Sequence, residues 1–390
     1  GILVIGFTGI YLAVKLTSDV YHRKSPEPIA FVGTISMTVT GVLMFVPLTS
    51  FSIGGPTDYS LLQVILPLAV GLGCVFLAFL ARQWEARNLS ASLYPSAVGG
   101  ILAVLFGIAT LVIPGTVRSI TSQFLNTVGF SANAGTRTIG EAQPFLSQGP
   151  PFGLLYSEYG LAFFAALVAA LVVLARPLIK SDDTQDTIYV IGSLATVGLI
   201  YLASPVFDSI AGVVGTDWQV LGLIIATSLL IGATLRHQYD AAELYALVWA
   251  AFITSAAFTQ VRFNYYLAIV VAVFSAIFVA QIADAVDIST TGESLRESVQ
   301  SLEGWQIMVA VAVVLVLTVP LVVPFAGSAW ATAENNGPGA VTQWDDTFEW
   351  MSSETPQPGE LEGADNPMEL YGTYDRPDND DFDYPEGAYG

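Results

Sequence analysis

Charge is scarce in this sequence, and basic charge is scarcest. Only 12% of the 390 residues are Asp, Glu, Lys or Arg, against about 25% in soluble domains. Lysine occurs only at positions 15, 24 and 180. Thirteen bases face 33 acids, for a formal charge of −20. That balance excludes nucleic acid as a partner, because phosphate contacts require Lys and Arg. The one cysteine, Cys74, lies inside an apolar run, which excludes a disulfide framework and a Cys-rich metal site. His22 and His237 fall in short connecting loops without a ligand partner at close spacing, and read as solvated interfacial groups. There is no Gly-rich loop with Lys, no Ser-His-Asp order and no His-Glu zinc pattern, so a soluble nucleotide-driven enzyme is not encoded here.

What fills the chain is apolar sequence in long uncharged runs. Hydrophobic residues make up 53% of it, and runs of this length mark helices that cross a bilayer. The fold class expected is an all-α polytopic membrane protein. Ten spans are read, at 1–17, 29–48, 62–80, 97–114, 159–178, 188–205, 218–235, 243–260, 266–285 and 306–325. The sixth and seventh are the weakest, and the Pro205–Asp217 loop between them is expected to be partly amphipathic. The chain opens at Gly1 inside an apolar run, without Met or a charged leader, and reads as a fragment beginning mid-protein.

Lys and Arg orient the spans. Nine fall on one side: Lys15, Arg23, Lys24, Arg82, Arg87, Arg176, Lys180, Arg236 and Arg296. Four fall on the other: Arg118, Arg137, Arg262 and Arg376. The richer side is read as cytoplasmic. On the outer side lie a polar loop (115–158), the turn with Arg262 and the C-terminal segment. The domain reading is therefore a transmembrane bundle over 1–325 with a long outer loop at 115–158, then the beginning of an acidic extracellular domain over 326–390. In that domain Thr342 is expected to cap a helix with Asp345 and Asp346 in its first turn, a Trp344, Phe348, Met351 stripe, and an end at Thr355-Pro356. Fifteen acids against Arg376 alone lie between Glu334 and Glu386. The bland reading is a solvated acidic tail. The sharper one is adaptation to high salt, in which acidic side chains keep an exposed domain hydrated.

Two residues stand out. Glu141 sits in Thr136-Arg-Thr-Ile-Gly-Glu-Ala-Gln-Pro-Phe145. A carboxylate on an outer loop is suited to holding a divalent metal, accepting from a substrate amide, or acting as a base; otherwise it is one more surface acid, with Arg137 as a simple ion-pair partner. Arg262 sits in Thr259-Gln-Val-Arg-Phe-Asn-Tyr-Tyr-Leu267 between two spans. It is either a snorkelling arginine in an aromatic belt or a cation for a lipid phosphate, whose oxygens a guanidinium fits bidentately. Tyr265 and Tyr266 would pack beside it. Glu158 reads as an interfacial cap. The loop is rich in Gly and Pro, which suits a segment with little regular structure that changes shape. Asn88-Leu-Ser90 matches a glycosylation acceptor pattern but falls on the cytoplasmic side, and is read as chance.

Thr138-Ile-Gly-Glu141, followed by Ala-Gln-Pro, resembles the Thr-Ile-X-Glu motif in the fifth outer loop of archaeal and bacterial oligosaccharyltransferase catalytic subunits. Arg262-Phe-Asn-Tyr-Tyr266 resembles the arginine motif late in their membrane bundle. Trp344-Asp-Asp-Thr-Phe-Glu-Trp-Met351 resembles the stretch that opens their outer domain, and the closing Tyr-Pro-Glu-Gly-Ala-Tyr-Gly390 resembles the approach to their Trp-Trp-Asp-Tyr-Gly motif. The acidic bias is similar to the haloarchaeal, AglB type.

This resemblance implies a GT-C-type helix bundle and transfer of an oligosaccharide from a polyprenyl (dolichol) phosphate carrier to Asn of Asn-X-Ser/Thr sequons at the outer membrane face. It implies Mn2+ or Mg2+ held by outer-loop acids, with Glu141 a metal ligand and catalytic contact to the acceptor amide. It implies Arg262 on the carrier phosphate, with Arg137, Thr138, Tyr265 and Tyr266 in support. Partners would be the lipid-linked oligosaccharide, the acceptor protein and membrane lipids. The family's upstream acidic residues and its Trp-Trp-Asp motif lie outside this sequence, so the segment alone is expected to be inactive. The family usually has four spans after the glutamate, where hydropathy here gives six. Alternatives are another polyprenyl-phosphate glycosyltransferase, such as a mannosyltransferase, or a secondary transporter, which would show charged groups near mid-membrane and broken helices.

Overall fold

A computed structural model describes residues 2–48, 51, 59–129, 142–145, 149–181, 183–202, 209–213, 218–286, 303–322 and 344–354. The chain divides into two units, Gly1–Ala329 and Trp330–Gly390. In the first unit the helices are α1 (Ile2–Tyr21), α2 (Glu27–Phe45), α3 (Leu61–Ala86), α4 (Tyr94–Val112), α5 (Pro114–Val128), α6 (Pro151–Tyr159), α7 (Ala162–Ile179), α8 (Thr184–Leu202), α9 (Trp218–Arg236), α10 (Ala241–Thr259), α11 (Asn264–Ala285) and α12 (Gly304–Val322). In the second unit the described helix is α13 (Asp345–Glu354). No strand occurs among the described residues.

Each of the ten apolar segments read from the sequence coincides with a helix. Among the described residues, six stretches are long and apolar enough to cross a membrane: Glu27–Phe45, Leu61–Ala86, Ala91–Val112, Ala162–Ile179, Ala241–Thr259 and Val261–Ala285. The protein is a membrane protein. Helices satisfy their backbone groups internally, which is what a segment in hydrocarbon requires. Their outward faces stay apolar: Leu102, Leu105, Phe106 and Leu111 on α4 are all more than half exposed, a surface suited to lipid tails rather than water.

The stretch expected to have little regular structure holds two helices, α5 and α6. Each begins with proline, Pro114 and Pro151, whose fixed φ suits a first helical position. Gly160 ends α6 with φ 63°, a conformation glycine adopts without a Cβ clash, and so turns the chain into α7. The sixth and seventh segments form α8 and α9, which pack together: the Tyr189 hydroxyl donates to the Leu229 carbonyl at 2.5 Å. Asn88, from the triplet set aside as chance, takes φ 52° just past α3, a position where Asn is tolerated. Trp344, just before α13, and Phe348 within it are exposed, while Thr342 lies outside the described residues.

Small residues set the closest helix contacts, as is usual where lipid provides no hydrophobic drive. On α2, a Cβ added at Gly33 would stand 2.8 Å from Leu12 Cδ2 and 3.1 Å from Cys74 Sγ. At Gly41 it would stand 2.7 Å from Leu68 Cγ. Gly41→Leu should therefore force α2 from α3 and destabilise the fold by about 1–3 kcal/mol. A lowered midpoint of thermal unfolding in detergent, with Gly6→Ala (which meets nothing within 4 Å) near wild type, is the expected result. α7 also packs closely on α11: Ala162, Ala165, Ala166 and Ala169 of α7 are buried, and the Ser275 hydroxyl donates to the Ala162 carbonyl at 3.0 Å.

The end of α9 and its connection to α10 are held by charge. Asp186, only 6% exposed, accepts from Arg236 Nη1, His237 Nε2 and Ser181 Oγ, each at 2.8 Å. Nearby, buried Lys15 donates to Asp19 at 2.6 Å and to the Tyr239 carbonyl at 3.2 Å. The histidines are thus not simply solvated: His237 bonds Asp186, and His22 meets the Thr234 carbonyl at 3.1 Å. Sequence spacing missed these pairs because the partners lie on other helices.

The Arg236 hydrogen bond, then those of His237 and Ser181, hold the Asp186 carboxyl at about 2, below its usual 3.8. A depressed acid stabilises the fold above the unfolded value, and that contribution disappears as pH falls through the folded value. Asp186→Asn should lower the thermal midpoint at neutral pH. The gap to wild type should then close as pH drops from 3.8 towards about 2. A gap unchanged at acid pH would show that the charge is not the cause.

Candidate functional site

The site begins where α10 ends. Gln260 leaves the helix in extended conformation (φ −146°, ψ 125°), and Val261–Phe263 make one 3-10 turn before α11. This break places Arg262 between two membrane-length helices, with its side chain exposed. The guanidinium carbon lies 5.2 Å from the Phe263 ring centroid, a cation–π distance. Tyr265 and Tyr266 are exposed beside it, 4.9 Å apart, and Tyr266 lies 6.2 Å from Phe263. Among the described residues Arg262 has no acidic partner. An exposed guanidinium in an aromatic setting without a carboxylate is free to meet an anion.

Three segments distant in sequence converge on this turn. The Val261 N–H donates to the Gln143 carbonyl at 3.0 Å. The Gln260 carboxamide donates to the Asn126 carbonyl, and the Ser255 hydroxyl to the Val128 carbonyl at 2.6 Å. The Tyr159 hydroxyl donates to the Asn264 carbonyl at 3.0 Å. Asn126 and Val128 belong to the last turn of α5, where carbonyls lack intrahelical partners, so α10 side chains satisfy them. Buried Phe145 stacks on Phe258, centroids 6.5 Å apart, and Ala142 is buried as well. The chain on both sides of residues 130–141 is thereby fastened to one helix end.

Glu141, Arg137 and Thr138 lie outside the described residues. Among the predicted site residues, the structure brings Arg262, Tyr265 and Tyr266 together, and joins their turn to Gln143, two residues beyond Glu141 in the sequence. Sequence reasoning missed Gln260 and Asn264. Both are buried, and their Oε1 and Oδ1 atoms have no hydrogen-bond partner among the described residues. The available signal was a glutamine and an asparagine flanking Arg262 between two spans, where an unpaired amide is costly. No group of three or more His, Cys, Asp or Glu side chains suited to a metal occurs among the described residues.

No family model matches the chain. It is 44% identical, over 404 aligned residues, to the dolichyl-monophosphooligosaccharide–protein glycotransferase AglB of Haloferax volcanii, an alignment covering 100% of this chain and 38% of that protein. The Archaeoglobus fulgidus oligosaccharyltransferase AglB, solved with an inhibitory peptide and a dolichol-phosphate, superposes with a TM-score of 0.57 at 17% identity, over 90% of this chain and 35% of that one. The apo form from the same organism gives 0.58 at 18% identity over the same shares. These structures show a shared fold, a GT-C-type helix bundle. The chain spans less than two fifths of the length of the relatives it matches. Over that segment the chain is similar, from end to end, to archaeal oligosaccharyltransferases of the AglB type.

Proposed function

We propose that this segment belongs to an enzyme that moves an oligosaccharide from a dolichol-type phosphate carrier to the side-chain amide of Asn in Asn-X-Ser/Thr sequons, at the outer face of the membrane. The observation that carries the reading is the hydrogen bond from Val261 to Gln143. It joins the turn bearing Arg262 to Gln143, two residues after Glu141 in the sequence, which supports a shared site for the two motifs. In this reading Arg262 binds the carrier phosphate, with Tyr265 and Tyr266 lining the approach. Both tyrosines are exposed at membrane-helix ends, where amphipathic rings suit the headgroup level. Glu141 accepts from the acceptor amide, a weak nucleophile whose attack forms the C–N bond as the glycosyl–phosphate bond breaks.

A divalent metal, Mn2+ or Mg2+, would offset the charge of the leaving phosphate. The described residues do not by themselves fit such an ion, since no three suitable side chains come together. In this reading Glu141 takes one ligand position and the rest of the longer protein supplies the others. The decisive experiment uses full-length protein in nanodiscs, with a fluorescent Asn-X-Thr peptide and lipid-linked donor extracted from the same cells. Glycosylated peptide is the expected product. Transfer to a lipid or sugar acceptor, with none to peptide, would favour a different polyprenyl-phosphate glycosyltransferase.

A further inference from the structure

We infer that Gln260 is a positioning residue, whose carboxamide ties the end of α5 to the Arg262 turn and thereby holds the chain on either side of Glu141 at a set place beside Arg262. The inference rests on the functional reading above, and adds a residue that its motifs do not contain.

Gln260 is 3% exposed, deep for a glutamine at a helix end. Its Nε2 donates to the Asn126 carbonyl, one of the α5 carbonyls that no helical N–H reaches. Its backbone is extended, and this bend directs the following N–H, that of Val261, to the Gln143 carbonyl. One residue thus ends α10 and caps α5, and the next anchors the segment beginning at Ala142. Arg262 follows two positions after Gln260. Ser255, further back on α10, adds the bond to Val128. Ties from residues 255, 260 and 261 to residues 126, 128 and 143 bracket the stretch containing Glu141 from both ends.

A helix cap alone would not need this placement. The carboxamide uses its donor and leaves Oε1 buried without a partner among the described residues, an arrangement that carries a stability cost. Buried polar groups that are only partly satisfied call for a reason. Orientation supplies one: two groups acting on one reaction centre must keep their spacing, and a small misplacement lowers turnover sharply.

The test uses the full-length enzyme with Gln260→Leu, which removes the donor at similar size, and Gln260→Glu, which keeps the length but donates only when protonated. Gln260→Leu should lower kcat for peptide glycosylation about 10- to 100-fold per folded molecule. Combined with Glu141→Gln, it should add less than about twofold, because the two act through one unit. The Val261 amide should exchange its hydrogen faster than in wild type, a readout independent of activity. Gln260→Glu should be impaired at neutral pH and recover as pH falls, because a buried carboxyl with a raised pKa becomes a donor to Asn126; Gln260→Leu should show no such recovery.

Two results overturn the inference while leaving the functional reading intact. One is wild-type turnover in Gln260→Leu beside an inactive Glu141→Ala. The other is a fall that multiplies independently with that of Glu141→Gln, as a purely structural cap would give. If Gln260→Leu does not fold, the pH profile of Gln260→Glu decides, and a defect flat with pH counts against the inference. Wild-type enzyme that transfers nothing to peptide removes the functional reading instead, and the positioning role with it.

Discussion

Glu141→Gln in the full-length enzyme should lose about 10²- to 10⁴-fold in the rate of transfer to a sequon peptide, the range expected when a positioned acid–base group is removed. Gln keeps the size and an acceptor oxygen but loses the negative charge, so the substitution isolates the charge. Glu141→Ala should be at least as low. The apparent affinity for peptide should fall less than turnover, because the carboxylate is assigned to the reacting amide rather than to the peptide as a whole. Raising the concentration of Mn2+ or Mg2+ should recover part of the loss if Glu141 is a metal ligand, and none if it touches only the amide. Wild-type rates in Glu141→Gln would sink the assignment. The support from the structure is adjacency: Gln143, two positions on, is bonded to the turn that carries Arg262.

Arg262→Ala is the second large effect, and its signature differs. The side chain is exposed and without an acidic partner among the described residues, so removing it should leave the fold intact. A hydrogen bond to a charged group is worth about 1.5–3 kcal/mol, which corresponds to roughly a 10- to 150-fold rise in apparent KM for the lipid donor. The KM for peptide should change little. Arg262→Lys should recover only part of the affinity, since an ammonium offers a point charge where a guanidinium offers a planar fork. The converse pattern, with peptide binding lost and donor binding kept, would remove the phosphate role. Thermal midpoints near wild type would show that the effect is not one of folding.

How far the sequence could be read depended on the kind of signal. The apolar runs predicted helix positions closely, because a spanning segment must be long, apolar and internally hydrogen-bonded. The two weakest segments, read at 188–205 and 218–235, correspond to α8 (Thr184–Leu202) and α9 (Trp218–Arg236), paired through Tyr189 and Leu229. The polar stretch 115–158 was harder. Hydropathy marks it as outside the bilayer and is silent on helicity there, so α5 and α6 were not foreseen. His237, read from the sequence as a solvated interfacial group, instead joins Arg236 on Asp186 in one bonded cluster.

The site shows the same division. Arg262 with its tyrosines was legible, because a lone cation between two long apolar runs is conspicuous and four motifs occur in the order of a known family. Gln260 and Asn264 were not, because an amide announces a role only through what it bonds, and the partner of Gln260 is 134 residues away.

The sequence by itself determined that this is a helical membrane protein, where its apolar helices run, and to which family its motifs point, since hydropathy and short motifs are local properties of the chain. Only the tertiary structure decided that the end of α5, the residues after Glu141 and the end of α6 meet at the turn bearing Arg262. Those bonds join backbone carbonyls to donors far along the chain, and a backbone carbonyl is the same in every residue, so no sequence pattern marks which ones will meet.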